Sequence, residues 1–293
     1  MPVIATPLPQ RLRNTDRIEL NRNSWQAGGL VGWWPLGAHP HATDKSLYRN
    51  DGASLVGCTG TLCDSSTPRA TSVASHGPRR ALRFDASSKD IVQVPTNLLY
   101  SGGTGGYLTG AGARSVCCWV LCNSKASNSM GFVSNSTSES VGQPGWMLGR
   151  TGSSDYFRYA SDGTSGGLAT GTTNFSTGVW YHLVGTHTGS TVTLYVNGIA
   201  EAATAYSNWS ISTQPLTFGK WYPNYDGFYL DGLLDDVRLY RRALGANEVA
   251  AIYYQTRDGG YGDLATQPTR FHHLPVAAAV GKGSRTAMFL GVE

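Results

Sequence analysis

Apolar residues recur along this chain in short runs of period two, separated by clusters of glycine, serine, asparagine and aspartate. That pattern predicts many strands of four to seven residues joined by turns. Leu30–Leu36 is β-branched and aromatic, with Pro35 near its end. Ala81–Phe84 and Ile91–Val94 flank a turn at Asp85–Asp90. Ser115–Leu121 reads as a buried strand. Trp146–Gly149 and Tyr156–Tyr159 form a hairpin across Thr151–Ser154, and Trp180–Thr186 runs into a turn. Thr191–Val196 alternates cleanly and meets Asn197-Gly198, the strongest short hairpin signal, after which Ile199–Thr204 returns. Leu216–Gly219 and Leu233–Tyr240 complete the set. Leu244, Val249 and Ile252 mark a single short helix from Gly245 or Ala246 to Tyr254, with Asn247 as its cap. Asn123–Gly145 and Ser101–Gly112 read as low-complexity loops. Short strands without a fixed repeat predict an all-β, two-sheet antiparallel sandwich rather than a propeller or solenoid.

Composition agrees. Charged residues are 14%, aromatics 11%, and 37 of 293 residues are glycine. Disorder is excluded by the aromatics and a coiled coil by the low charge. The net charge is +4, and its basic excess gathers at Arg11, Arg13, Arg17 and Arg22. Aromatics do not interleave with these, so no nucleic-acid partner is expected. No run of eighteen apolar residues predicts a membrane span, and Met1–Ala5 does not open like a secretory signal. Of the five cysteines, Cys58 and Cys63 could close a small loop. Cys117, Cys118 and Cys122 read as buried thiols in one strand. Alternation turns Cys117 and Cys118 to opposite faces, which disfavours zinc. The chain divides into a basic arm (1–27), a sandwich (28–257) and a tail (258–293).

Taken in order, several segments resemble the laminin-G-like, concanavalin A-like jelly roll. They are Gly29–Leu36, Asp44-Lys45-Ser46-Leu47-Tyr48-Arg49-Asn50-Asp51-Gly52, Ala81–Asp85, Trp180–Val184, Leu194-Tyr195-Val196-Asn197-Gly198 and Gly232–Leu244. The resemblance implies a jelly-roll sandwich. Arm, single domain and tail look most like virion surface proteins of tailed bacteriophages: a decoration, fibre or tail-associated component on the virion surface. Such a protein would adhere to other virion proteins or its own subunits as a homo-oligomer, with cell-surface glycans as candidate ligands. The alternative is a secreted, extracellular bacterial carbohydrate-binding or adhesion module supported by calcium.

Calcium requires several oxygen ligands. Asp44, Asn50 and Asp51 form one acidic cluster and Asp235 and Asp236 another. In the resembled fold the first and last strands lie close, so the two clusters could share an ion. Asp235 has the parity of Leu233, Val237 and Leu239, so on a core face it needs a cation or several donors. Sugar binding needs aromatic faces and planar polar groups. Trp209, Trp221, Tyr222, Asn224, Tyr225 and Asp226 supply both in what reads as an exposed loop. The alternative is that these aromatics bury a contact or fill the core. An enzyme is not expected. Glu19, Glu139, Glu201, Glu248 and Glu293 lack the E-x-D-x-x-E spacing that places two carboxylates on one strand. Gly163–Gly167 fits G-x-S-x-G without a following helix. His182 reads as a packed strand residue, and His39, His41, His272 and His273 as loop residues. Apolar tail stretches, including Phe271, Met288 and Phe289, would be costly to leave exposed. With the four arginines they are the candidate assembly residues.

Overall fold

Two antiparallel sheets face each other, and alternating strands fill the space between them from both sides. The computed structural model describes residues 18–36, 43–48, 71–72, 80–94, 113–125, 129–136, 145–150, 155–161, 167–207, 212, 214–221, 226–258 and 261–266. The strands are β1 (Glu19–Leu20), β2 (Leu30–Trp34), β3 (Thr71–Ser72), β4 (Arg80–Phe84), β5 (Val92–Val94), β6 (Arg114–Cys122), β7 (Met130–Ser134) and β8 (Trp146–Arg150). There follow β9 (Tyr156–Ser161), β10 (Gly167–Asn174), β11 (Trp180–His187), β12 (Thr191–Val196), β13 (Ile199–Ala205), β14 (Leu216–Phe218) and β15 (Gly232–Tyr240). Helix α1 (Ala246–Thr256) and β16 (Ala265–Thr266) close the series. One sheet has the order β10-β9-β8-β7-β14-β5. The other runs β13-β12-β11-β6-β15-β4-β3, with β2 also on β15, and β1 pairs with β16. This is the expected jelly-roll sandwich with one late helix. Among the described residues no helix is long and apolar enough to cross a membrane.

Alternation decides which core each residue joins. Along β6, Val116, Cys118, Val120 and Cys122 enter the core between the sheets, while Cys117, Trp119 and Leu121 face outward. Cys117, Cys118 and Cys122 are free and buried, as the alternation implied. Burial pushes the Cys117 and Cys122 thiols up to about 12, which makes them poor nucleophiles. Along β2, Trp34 turns inward, edge-on to Phe218 at 5.3 Å, and Trp33 turns outward, edge-on to Tyr261 at 5.5 Å.

A second, smaller core lies on the outer face of the larger sheet. There Val249 and Ile252 of α1 cover Trp33, Cys117, Val184, Tyr195 and Tyr240. Gly245, not Asn247, caps α1, and the Glu248 carboxylate accepts the Gly245 N–H at 2.9 Å. Thr256 ties the helix to the sheet by accepting the Trp119 indole N–H at 3.0 Å. Ile18, Leu20, Ala27, Leu264 and Ala265 join this core. The folded unit therefore extends past Gly28 and Arg257 on both sides: part of the arm and the start of the tail belong to it.

One strand lies where a loop was expected: Met130–Ser134 forms β7 inside the serine- and asparagine-rich stretch. Gly167–Asn174 forms β10 in a stretch to which the alternation assigned no strand. Gly167 opens a strand, not a helix, so Gly163–Gly167 has no nucleophile-elbow context.

The face assigned to Asp235 also changes. In β15, Asp235 opposes Trp119 and Arg238 opposes Cys117, so Asp236 and Val237 share one partner position. This is a β-bulge, and Asp236 takes the left-handed conformation there, at φ 51°. Leu234, Val237 and Leu239 face the main core, while Leu233 and Tyr240 face outward. The parity drawn through Leu233, Asp235, Val237 and Leu239 breaks at the bulge.

Candidate functional site

The first and last strands meet as expected, and the acidic residues there converge on Trp33. Asp44 Oδ1 accepts the backbone N–H groups of Trp33 and Ser46, both at 2.8 Å, and Oδ2 accepts the Ser46 hydroxyl at 2.8 Å. From the bulge, Asp236 Oδ1 accepts the Trp33 indole N–H and the Arg238 Nε–H, each at 2.9 Å. Its Oδ2 accepts from the second Arg238 nitrogen at 2.7 Å. Arg238 is fully buried and also donates to Gln26 Oε1 (2.6 Å) and to the Tyr261 carbonyl (3.1 Å). Burial opposes its charge, but the Asp236 carboxylate outweighs that and raises its pKa. Asp235 Oδ1 accepts the Asp236 N–H at 2.7 Å. Among the described residues no group of three His, Cys, Asp or Glu side chains is placed to hold a metal. Asn50 and Asp51 lie outside the described residues. With nitrogen and hydroxyl donors already on Asp44 and Asp236, chelation by EDTA should shift the melting temperature by less than about 1 °C. A fall of several degrees, reversed by calcium, would show that an ion supports this junction.

The predicted sugar loop divides differently. Trp209, Tyr222, Asn224 and Tyr225 lie outside the described residues. Trp221, read from the sequence as exposed, is 1% exposed. It packs with Met147 and Ala160 on the outer face of the six-stranded sheet, beneath Phe228 at 5.4 Å. The Arg158 guanidinium lies 3.8 Å from its ring centre. Trp221 is thus a pin, not a stacking platform. Asp226 does reach the surface. It accepts from Lys89 Nζ at 2.7 Å and from the Tyr229 hydroxyl at 3.3 Å, and Lys220 donates to the same hydroxyl at 3.1 Å. The Lys89 hydrogen bond holds the Asp226 carboxyl below its ordinary range. Lys89 and Lys220 were missed by sequence reasoning, whereas Phe228 and Tyr229 belong to the aromatic cluster that the sequence shows around Asp226. Lys89 sits in a turn more than a hundred positions away and carries no local signal.

His182 is packed as expected, tilted against Trp119 at 5.1 Å and Tyr253 at 6.1 Å. The more consequential histidine is His187, at the end of β11. Its Nδ1 accepts the Gly189 N–H at 3.1 Å. Burial, then the Arg114 guanidinium, pushes it down to about 4. An imidazole neutral in the fold but titrating near 6.5 when unfolded lets the unfolded chain bind the extra proton between those values. Stability therefore falls as pH drops from about 6.5 to about 4. Melting curves across that window should flatten in His187→Gln relative to wild type. Equal slopes would assign the acid sensitivity elsewhere.

Of the assembly residues, Arg22 is described and exposed; Arg11, Arg13, Arg17, Phe271, Met288 and Phe289 lie outside the described residues. Glu19 pairs with Thr266 and Leu20 with Ala265. The described ends of the domain therefore lie side by side.

Comparison with known proteins gives the following. The laminin-G-type model of the concanavalin A-like lectin/glucanases superfamily matches residues 87–250, more than half of the chain. No curated protein sequence matches the chain. Among solved structures, the binding domain of botulinum neurotoxin serotype D superposes with a TM-score of 0.52 at 14% identity, covering 78% of this chain and 51% of that one. The binding domain of paraclostridial mosquitocidal protein 1 gives 0.52 at 15% identity, covering 78% and 52%. The Trypanosoma rangeli sialidase gives 0.50 at 15% identity, covering 77% and 32%. This chain thus spans about half the length of the first of these structures. At such identities they speak to the fold alone.

Proposed function

The chain belongs to the concanavalin A-like lectin/glucanases superfamily, and from that premise we propose that it is a non-catalytic recognition domain. In this reading it is displayed on a virion surface, as a phage decoration, fibre or tail-associated component, and adheres to cell-surface glycans. The observation that carries the reading is the surface cluster in which Asp226 accepts from both Lys89 and Tyr229. Nearby, Trp221 is packed onto the sheet against Arg158. Preorganised polar groups beside an aromatic ring suit a sugar and cost little ordering on binding.

Catalysis by two carboxylates needs a facing pair roughly 5 Å apart in a retaining enzyme. No strand of the six-stranded sheet contains Asp or Glu. In the other sheet, Asp236 is already paired with Arg238. The virion part draws support from the exits at 18 and 266. They lie on the helix-bearing face, opposite the face that carries Trp221. Anchoring and recognition would then use different sides.

Two measurements on the full chain test this. A glycan array should give binding that Asp226→Ala with Lys89→Ala abolishes while the melting temperature holds. Silence across the array would remove the adhesion half. Light scattering should give a trimer or larger for the full chain and a monomer for residues 18–266. Two monomers would remove self-assembly and favour a secreted carbohydrate-binding module instead.

A further inference from the structure

On one side of the sandwich the two sheets end in β10 and β13, and these edge strands touch. An edge strand pairs readily with another chain unless charge, proline or a bulge blunts it. Neither strand contains proline or a basic residue. Glu201 of β13 is the single charged side chain in the pair, and every other residue of both strands is neutral. Whatever protects these edges by charge must therefore act through one carboxylate.

Each strand carries an irregularity, and the two face each other. In β13, Ala200 opposes Tyr195 and Ala202 opposes Leu194, so Glu201 is the extra residue of a bulge. In β10, Thr170 opposes Arg158 and Asn174 opposes Tyr156, so Gly171, Thr172 and Thr173 drop out of the pairing with β9. The N–H groups of Thr172 and Thr173 donate to one oxygen of Glu201, at 2.8 and 3.0 Å, and the Thr173 hydroxyl donates to the other. Beside them the Thr204 hydroxyl donates to the Leu168 carbonyl at 2.7 Å. Gly171 leaves room for the carboxylate: a Cβ there would collide with Glu201 Oε2 and lie 3.1 Å from Leu194 Cδ2. Side chains of β13 thus hold backbone groups of β10 that a neighbouring strand would otherwise hold.

We infer that Glu201 guards the β10 edge against pairing with a second copy of the chain. Its carboxylate occupies the Thr172 and Thr173 N–H groups and straps β10 to β13. With the carboxylate gone, two N–H groups stand open on a neutral, proline-free edge. A second copy is the partner that fits. Its own β10 and β13 are equally neutral, so like strands meet antiparallel about a two-fold axis with no charge set against charge. A charged peptide would find no counter-charge in either strand. The guard is independent of the Asp226 surface, so either reading can fail alone.

The test compares the full chain with Glu201→Ala and with Gly171→Ala. The second variant keeps the carboxylate but pushes it off its seat, so the two reach the same state by different routes. In both, amide hydrogen exchange at Thr172 and Thr173 should be faster by about tenfold or more, while Leu183 and Val184 in β11 exchange as in wild type. Light scattering over a concentration series should show both variants forming species larger than wild type at the same concentration, whatever the wild-type stoichiometry. Adding Thr172→Lys to Glu201→Ala should restore the wild-type mass, because a charge blunts the edge, while Thr173 still exchanges fast. The wild-type mass for both single variants at every concentration would overturn the guard. So would slow exchange at Thr172 and Thr173 without the carboxylate, or larger species that the added lysine leaves unchanged.

Discussion

Replacing Asp236 with alanine should lower the unfolding free energy by about 3–5 kcal/mol and the melting temperature by roughly 6–20 °C. The loss comes from what is stranded rather than from what is deleted. Arg238 is fully buried, and Asp236 is its only ion-pair partner among the described residues. Without it, a guanidinium stays in the outer core with neutral groups such as the oxygens of Gln26 and Tyr261 to meet it. Alanine is also strained at φ 51°, which Asp and Asn tolerate better. A double-mutant cycle separates these effects. Asp236→Asn with Arg238→Met removes both charges, keeps an acceptor for the Trp33 indole and retains most of the buried volume. It should melt above Asp236→Ala. An Asp236→Ala protein melting within about 2 °C of wild type would mean that water reaches Arg238 and that the pair contributes little.

Gly131→Ala should severely disturb the side of the molecule that carries Trp221 and Asp226. A Cβ at Gly131 would lie 2.2 Å from the Trp221 backbone nitrogen and Cα and 2.3 Å from the Lys220 carbonyl carbon. Those are backbone atoms, and three bonds hold them there. The Gly219 N–H donates to the Phe132 carbonyl at 2.9 Å, the Gly131 N–H to the Phe228 carbonyl at 3.2 Å, and the Ser134 hydroxyl to the Lys220 carbonyl at 2.9 Å. Overpacking of this kind costs about 1–3 kcal/mol or more. Here the crossing segment must lift as a unit, carrying Trp221 out from between Arg158 and Phe228. The expected results are a lower melting temperature, a changed near-ultraviolet dichroism signal from Trp221, and loss of glycan binding at the Asp226 surface. An unchanged tryptophan signal would show that the segment tolerates the methyl and is looser than its contacts imply.

Strong periodicity was legible from sequence. Thr191–Val196 and Asn197-Gly198 form their strand and turn where alternation and φ preference demand, with Asn197 and Gly198 both at positive φ. What escaped has identifiable causes. Strand β10 buries Gly167, Ala169 and Gly171, residues too small to register as apolar alternation. Strand β7 is flanked by serines and asparagines that outweigh Phe132 and Val133 in any window. The bulge at Asp236 shifts parity by one, and no local pattern announces a single left-handed residue. Trp221 shows the same limit at the candidate site. A loop rich in aromatics reads alike whether its rings face solvent or the sheet, and the deciding partner, Arg158, is sixty-three positions away. Gln26 and Tyr261, which carry the folded unit past its expected boundaries, are single residues without a motif. They matter only because Arg238 is buried between them.

The short pairing of Glu19–Leu20 with Ala265–Thr266 also decides how the domain bears force. Residues 18 and 266 are neighbours across an antiparallel pair. Tension that separates the two exits acts across the strands and loads their bonds one after another, so this clasp peels before the sandwich is strained. Tension between the two exits together and a ligand held at the Asp226 face follows another path. It crosses the sandwich from face to face, through Arg238 and the packed core, and leaves the clasp in register. Load shared by both ends would then run through the strongest part of the fold, while a twist that parted them would spend itself on the two-residue pairing.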